Sequence, residues 1–98
     1  MEINKTFKDK SCKIELSGRL DTITSPQLEE VVDALPDDVE ELVLDLKELD
    51  YVSSAGLRVL LSAHRIMSCK GGMKVTHVNE IVREVLEVTG FTDILTIE

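Results

Sequence analysis

Two adjacent serines, Ser53 and Ser54, are the residues of this chain whose type and position could do chemistry. They lie in the stretch LDYVSSAGLRVLL, between a short apolar and aromatic segment and a long apolar one. A serine hydroxyl at such a junction can cap a helix, attack a substrate as a nucleophile, or accept a phosphoryl group. Capping is the most ordinary of these roles, because Ser is a common first residue of helices, and it contributes about 1 kcal/mol.

A phosphoryl group on Ser54 suits the helix that the pattern predicts immediately after it. The first turn of a helix offers unpaired N–H groups and a partial positive charge, which stabilise an anion. Arg58 stands one turn further along and can partly neutralise the added charge of about −1.5 to −2 at pH 7. A partner surface built for an uncharged serine would reject that charge, so Ser54 is a candidate switch.

A small serine hydrolase is the alternative of a different class. The nucleophile elbow of α/β-hydrolases has glycine two residues before and two residues after the serine. Gly56 fits the second position, but Val52 stands at the first. Of the two possible bases, His64 falls about two and a half turns along the predicted helix and His77 falls in a predicted strand. Hydrolase chemistry is therefore the weaker reading.

Alternating apolar and polar residues predict the strands that flank these sites. The period of two in CKIELSG, closed by Gly18, indicates a strand with one buried face. The uninterrupted apolar run in ELVLDL indicates an inner strand covered on both faces, and KELDYV after it is predicted to be a linker. Residues 2–7 and MKVTHV are further strands, and residues 91–98 form either a short strand or a packed tail.

Three segments have the period of a helix. The first begins with Ser25 as N-cap and Pro26 at the first helical position, and it stops at Pro36. The second runs from Ala55 to about Lys70, and the third follows Asn79 as its cap. The second is apolar almost all round and leaves one polar ribbon for solvent: Arg58, Ser62, Arg65 and Cys69.

The order β-β-α-β-α-β-α predicts a single α/β domain over residues 1–98. Strands that alternate with helices need crossover connections, so most of the sheet is expected to be parallel. The first two strands are joined by a short turn and are expected to form an antiparallel hairpin at one edge. The prediction is therefore a mixed, mostly parallel sheet with an antiparallel N-terminal edge strand, covered by helices.

The composition of the chain argues against some classes of binding partner. The 98 residues carry a formal net charge of −8, which argues against nucleic acid and against anionic membranes as binding partners. Cys12 and Cys69 form no CxxC pair, so no redox or metal motif is indicated and no cofactor is expected. A reduced, cytoplasmic setting is the simplest expectation, since the N-terminus has no apolar secretion signal and no run approaches a membrane span.

Three stretches together resemble the STAS domain of bacterial anti-sigma factor antagonists: LSGRLDTITSPQLEE, LVLDLKELDYVSSAGLRVLL and GGMKVTHVNEIVREVLEVTGFTDIL. The resemblance extends over nearly the whole chain and keeps the order of elements. It implies that Ser54 matches the phosphorylated serine of the family, Gly56 the glycine after it, and Asp21 the acidic residue near the phosphosite. One departure is Ser53, where the family commonly has Asp, so Ser53 is the second choice for modification.

The resemblance implies a phosphorylation-controlled binding module and not an enzyme. The expected partners are an anti-sigma factor that is also a serine kinase with a histidine-kinase-like ATPase fold, and a PP2C-type phosphatase. A non-phosphorylated STAS scaffold subunit of a transport or stress-signalling complex is the alternative within the family. The expected partner-binding surface comprises Asp21, Thr22, Thr24, Ser53, Ser54, Ala55, Gly56, Arg58, Ser62 and Arg65.

Overall fold

Five strands and three α-helices make up the fold, and the computed structural model describes all residues, 1–98. The strands are β1 (Glu2–Lys8), β2 (Ser11–Leu20), β3 (Glu41–Val52), β4 (Gly72–Thr76) and β5 (Thr96–Ile97). The helices are α1 (Ser25–Asp33), α2 (Ser54–Ser68) and α3 (Glu80–Val88), and a short 3-10 helix (Phe91–Asp93) precedes β5.

The strands form one mixed sheet in the order β1-β2-β3-β4-β5. β1 pairs with β2 antiparallel, and every other neighbouring pair is parallel. The three crossovers through α1, α2 and α3 all advance in the same direction across the sheet. Right-handed connections therefore place all three helices on one face. This confirms the predicted fold class, with an antiparallel edge strand at the N-terminus and the remaining strands parallel.

The core lies between the helices and that face of the sheet. Cys12, Ile14 and Leu16 of β2 are buried and alternate with exposed Lys13 and Glu15, so the predicted period of two is confirmed. The core cluster of 22 buried residues contains no aromatic side chain. It is built from Leu, Val, Ile, Met, Ala and Cys, which leaves the few aromatics of the chain near the surface.

No helix covers the other face of the sheet. The expectation that β3 is covered on both faces is wrong, because Val43 is only half-buried between Lys13 and Lys74 of the neighbouring strands. Asp45 is the exception on this open face: it is 7% exposed. Its carboxylate lies 3.2 Å from the His77 imidazole and 3.7 Å from the Lys13 amine.

β3 is longer than the sequence pattern predicts. Residues 47–52, predicted to be a linker, continue the strand to Val52 and pair with the end of β2. The register shifts twice along this pair, and each shift adds one residue to β3. Such bulges bend a strand and break its alternation. As a result the buried residues Leu46, Leu49 and Val52 fall three positions apart.

The helix starts are close to their predicted positions. Asn79 caps α3, as predicted, and its side chain accepts the Val82 N–H at 3.0 Å. Gly90, with φ +80°, follows the end of α3. The prediction of Ser25 as the first cap is wrong by one residue, since the capping position belongs to Thr24 and Ser25 is already helical. None of the helices is long and apolar enough to cross a membrane.

Candidate functional site

Two loops meet at the carboxyl edge of the sheet. β2 and β3 are parallel neighbours, so the loops that follow them emerge at the same edge, where functional groups of open α/β sheets collect. A backbone hydrogen bond joins them directly: the Ser53 N–H donates to the Leu20 carbonyl at 2.9 Å. The serine pair and the loop that begins with Asp21 therefore form one surface.

Ser53 is the cap of α2. Its backbone is extended (φ −93°, ψ 175°) and its Oγ accepts the Gly56 N–H at 3.3 Å. Its carbonyl accepts the Leu57 N–H at 2.9 Å, which begins the helical ladder. The Ser53 hydroxyl is therefore engaged in the structure and only half-exposed.

Ser54 occupies a different environment, although it is the next residue. It is the first residue of α2 and is exposed to solvent. The structure gives its hydroxyl no hydrogen-bond partner, whereas the hydroxyl of Ser53 has one. At the first turn of a helix an anionic group is favoured by the free N–H groups and the helix dipole. Ser54 thus offers an accessible hydroxyl in a place that accepts negative charge.

Gly56 brings the two loops into contact. A Cβ atom at this position would lie 2.8 Å from Leu20 Cγ, 2.9 Å from the Leu20 carbonyl oxygen and 2.9 Å from Val52 Cγ2. Only glycine lets α2 start this close to the ends of β2 and β3. Gly56 is buried, so it lies beneath the predicted contact surface and sets its geometry.

The Asp21 loop is held by its own hydrogen bonds. The Asp21 carboxylate accepts the backbone N–H groups of Thr24 and Ile23, each at 3.0 Å, and the Thr24 hydroxyl donates to the Arg19 carbonyl at 2.6 Å. The Thr24 N–H is the main cause that lowers the pKa of Asp21. Desolvation, the second-largest effect, opposes it, and the Ile23 N–H, the Thr24 hydroxyl and the Arg19 guanidinium lower the pKa further. Asp21 is therefore ionised at neutral pH and organises the loop.

A shallow concavity of about 250 Å³ separates α1 from α2 beside Ser54. Thr22, Glu29, Ala55 and Arg58 are among the residues that line it. Arg58 forms no ion pair with any carboxylate of the chain, and neither does Arg65. In a protein of net charge −8, this surface therefore presents unpaired guanidinium groups.

The polar ribbon of α2 lies where the sequence predicts it. Arg58, Ser62, Arg65 and Cys69 are all exposed, whereas Leu60 and Ala63, on the opposite side of the helix, are buried. The ribbon runs away from Ser54 along the helix. The exposed residues predicted for partner binding thus lie along one continuous side of the molecule, from the two loops to the end of α2.

Sequence reasoning missed Ile23 and the pair Arg19–Tyr51 at the same edge. Ile23 is 82% exposed, and the Arg19 guanidinium lies 4.3 Å above the centre of the Tyr51 ring. The available signal for Ile23 was a single apolar residue inside the polar loop DTITS. No sequence signal places Arg19 over Tyr51, because their pairing depends on the shifted register of β2 and β3.

Neither histidine of the chain lies where it could act as a general base for a nucleophilic Ser54. His64 lies ten positions further along α2, a rise of about 15 Å. His77 lies on the open face of the sheet beside Asp45. Serine hydrolases need a base within hydrogen-bond reach of the nucleophile. The geometry therefore does not support histidine-assisted hydrolysis at Ser54.

One mixed sheet of five strands with three crossover helices is the fold of a STAS-type domain, as the comparison with known families shows. A family model described as "Mlab, STAS domain" matches residues 3–96. The chain belongs to the STAS domain family, among the anti-sigma factor antagonists.

The relatives cover most of the chain. A candidate anti-sigma factor antagonist of Bordetella bronchiseptica, BtrV, is 40% identical over 84% of this chain and 72% of its own. An anti-sigma F factor antagonist of Paenibacillus polymyxa is 36% identical over 86% of this chain and 74% of its own.

Solved structures agree in fold. The anti-sigma factor antagonist SpoIIAA in its unphosphorylated form superposes with a TM-score of 0.82 at 18% identity, covering 99% of this chain and 88% of that one. The Bacillus cell fate determinant SpoIIAA in the phosphorylated form gives 0.76 at 16% identity, covering 99% and 91%.

Proposed function

We propose that this protein is an anti-sigma factor antagonist controlled by phosphorylation of Ser54. The unphosphorylated form binds an anti-sigma factor that is also a serine kinase with a histidine-kinase-like ATPase fold, and binding releases the client of that factor. The kinase phosphorylates Ser54, binding weakens, and a PP2C-type phosphatase restores the serine. One observation carries this proposal: in a member of this family, the Ser54 hydroxyl is exposed and unbonded at the start of α2.

Ser54 is preferred over Ser53 as the acceptor. The Ser53 hydroxyl is half-exposed and accepts the Gly56 N–H, so its modification would disturb the cap of α2. The Ser54 hydroxyl can receive a phosphoryl group without the loss of any hydrogen bond. The helix dipole and the Arg58 side chain one turn away then offset part of the new charge.

The switch is a change of charge in an interface. A phosphoryl group brings about −1.5 to −2 charges to a surface that must lose its water on binding, and desolvating such a group without a partner costs several kcal/mol. A loss of about 3 kcal/mol already weakens binding more than a hundredfold. No refolding of the domain is needed for this effect.

Variants of Ser54 test the switch. Ser54→Ala is expected to bind the purified anti-sigma factor as the wild type does and to take up no phosphate, while Ser54→Asp binds at least tenfold more weakly. Calorimetry gives the affinities, and intact-protein mass spectrometry after incubation with the kinase and Mg-ATP, followed by peptide mapping, locates the phosphate. A phosphate on Ser53 would contradict the assignment of Ser54 as the phosphorylated residue. No phosphate together with unchanged binding of Ser54→Asp would favour the scaffold role.

Arg58 is proposed to meet a carboxylate of the partner. It is exposed, has no carboxylate partner within the chain and lines the concavity beside Ser54. Arg58→Glu is expected to weaken binding of the unphosphorylated protein at least tenfold, since like charges then face each other. Arg83→Glu is the matched control, because Arg83 is exposed and equally unpaired on α3. Equal affinities of the two variants would remove Arg58 from the interface.

A further inference from the structure

Ile23 is a solvent-exposed apolar residue in a loop whose backbone is fixed by hydrogen bonds. Its side chain is 82% exposed, the largest exposure among the large apolar residues of the chain. Its own N–H donates to the Asp21 carboxylate at 3.0 Å, and the next N–H, from Thr24, does the same. The Thr24 hydroxyl ties the loop back to the end of β2 through the Arg19 carbonyl. The backbone around Ile23 is therefore fixed before any partner arrives.

Ile23 stands on the same edge as Ser54. Its neighbour Thr22 lines the concavity that also contains Ala55 and Arg58, and the Leu20 carbonyl at the start of this loop accepts the Ser53 N–H. A partner that covers Ser54 and enters this concavity contacts Thr22, the residue before Ile23. The first turn of α2 contains no large exposed apolar side chain of its own.

We propose that Ile23 is the apolar anchor of the Ser54 surface and inserts into an apolar pocket of the anti-sigma factor. This inference rests on the proposed function and adds to it the chemistry of the partner: an apolar pocket beside the groups that face Ser54 and Arg58. Single exposed apolar residues are common on protein surfaces. Ile23 differs because its backbone is already ordered, so binding loses little conformational entropy in the loop. A buried apolar anchor ringed by polar contacts is also the arrangement in which a few residues carry most of the binding free energy.

Val88 provides a matched control. It is 81% exposed, close to the value for Ile23, and it is the last residue of α3. Because α3 starts at the carboxyl edge of the sheet and runs back across it, Val88 lies toward the opposite edge. The two side chains are thus similar in chemistry and exposure and differ in their position relative to Ser54.

Calorimetric titration of the purified anti-sigma factor with the unphosphorylated protein tests the anchor. Ile23→Ala is expected to raise the Kd at least about tenfold, as truncation of a central contact residue does, and Ile23→Asp more. Val88→Ala and Val88→Asp are expected to change the Kd less than twofold. In the phosphorylation reaction, Ile23→Ala should raise the KM for this protein and leave kcat unchanged, because the anchor does not touch the transferred phosphoryl group.

Circular dichroism of each variant shows whether a change in Kd comes from unfolding. All four variants are expected to remain folded. If the Ile23 and Val88 variants have the same Kd for the anti-sigma factor, or if Ile23→Ala lowers kcat at unchanged KM, the proposal that Ile23 is an anchor is wrong. Ser54→Asp in the same titration separates the two ideas. When Ser54→Asp weakens binding and Ile23→Asp does not, only the anchor fails. When neither weakens binding, the proposed function fails with it.

Discussion

At the scale of single residues, the structure gives Ser53 the role of a helix cap, which an Asp could also fill. Its hydroxyl caps α2 through the Gly56 N–H, and Asp and Ser are both strong caps because each offers an oxygen to the same backbone N–H. Ser53→Ala is therefore expected to lower the free energy of unfolding by about 1 kcal/mol, and Ser53→Asp to leave it unchanged or raise it slightly. Urea denaturation followed by circular dichroism measures both.

The neighbouring serine is the control for the Ser53 cap. Ser54 is exposed and makes no side-chain hydrogen bond, so Ser54→Ala should leave the free energy of unfolding within about 0.5 kcal/mol of the wild type, as surface substitutions do. If Ser54→Ala lowered the free energy of unfolding more than Ser53→Ala does, Ser54 would be the cap, and the assignment of that role to Ser53 would be wrong. The sequence alone left these roles open, because either serine can cap a helix that begins near residue 54.

At the scale of elements, the start of α2 depends on the close approach that Gly56 allows. In Gly56→Ala the new Cβ would lie within 2.9 Å of both Leu20 and Val52, and one of its contacts is a backbone oxygen that cannot rotate away. Alanine favours a helix by about 1 kcal/mol over glycine, but overpacking of this kind costs about 1–3 kcal/mol. We expect Gly56→Ala to be destabilising by up to about 2 kcal/mol in urea denaturation, and Ser62→Ala, on the exposed ribbon of the same helix, to be close to neutral. A stabilised Gly56→Ala would contradict the contact.

The elements show which parts of the fold a single sequence can predict. The alternation in β2, the Asn79 cap and the ribbon of α2 could be predicted, because each depends on neighbours within one or two turns or on one strand face. The second half of β3 could not. Two bulges place Leu46, Leu49 and Val52 three residues apart, which is neither the period of a strand nor that of a helix. The pairing with β2 that creates these bulges is a tertiary contact, and it also decides that Arg19 and Tyr51 meet.

The candidate site also contains some features that the sequence predicts and others that it does not. The positions of Ser54, Asp21 and Arg58 at one edge follow from the order of parallel strands and from the family resemblance. Ile23 and the burial of Gly56 do not follow from either, because one depends on the hydrogen bonds of the Asp21 loop and the other on how closely two strand ends approach the helix. Local patterns identify which residues can carry the chemistry, while packing decides which of them reach the surface.

At the scale of the whole molecule, a charge on Ser54 should leave the fold intact. Ser54→Asp changes the formal net charge from −8 to −9 (−8 − 1), but the new carboxylate is exposed and repulsion between distant surface charges is screened beyond about 8 Å at physiological salt. At the first turn of α2 it gains about 0.3–1 kcal/mol from the helix dipole. For a domain of this size, 1 kcal/mol corresponds to a shift of about 4–8 °C in Tm.

The Tm of Ser54→Asp, measured by circular dichroism, is thus expected to equal or slightly exceed that of the wild type, while its affinity for the anti-sigma factor falls. A Tm lowered by ten degrees or more would mean that the domain itself is disrupted and that binding is lost through unfolding. An unchanged Tm with lost binding places the switch in the interface, because the same rigid domain then presents the same surface with one charge added.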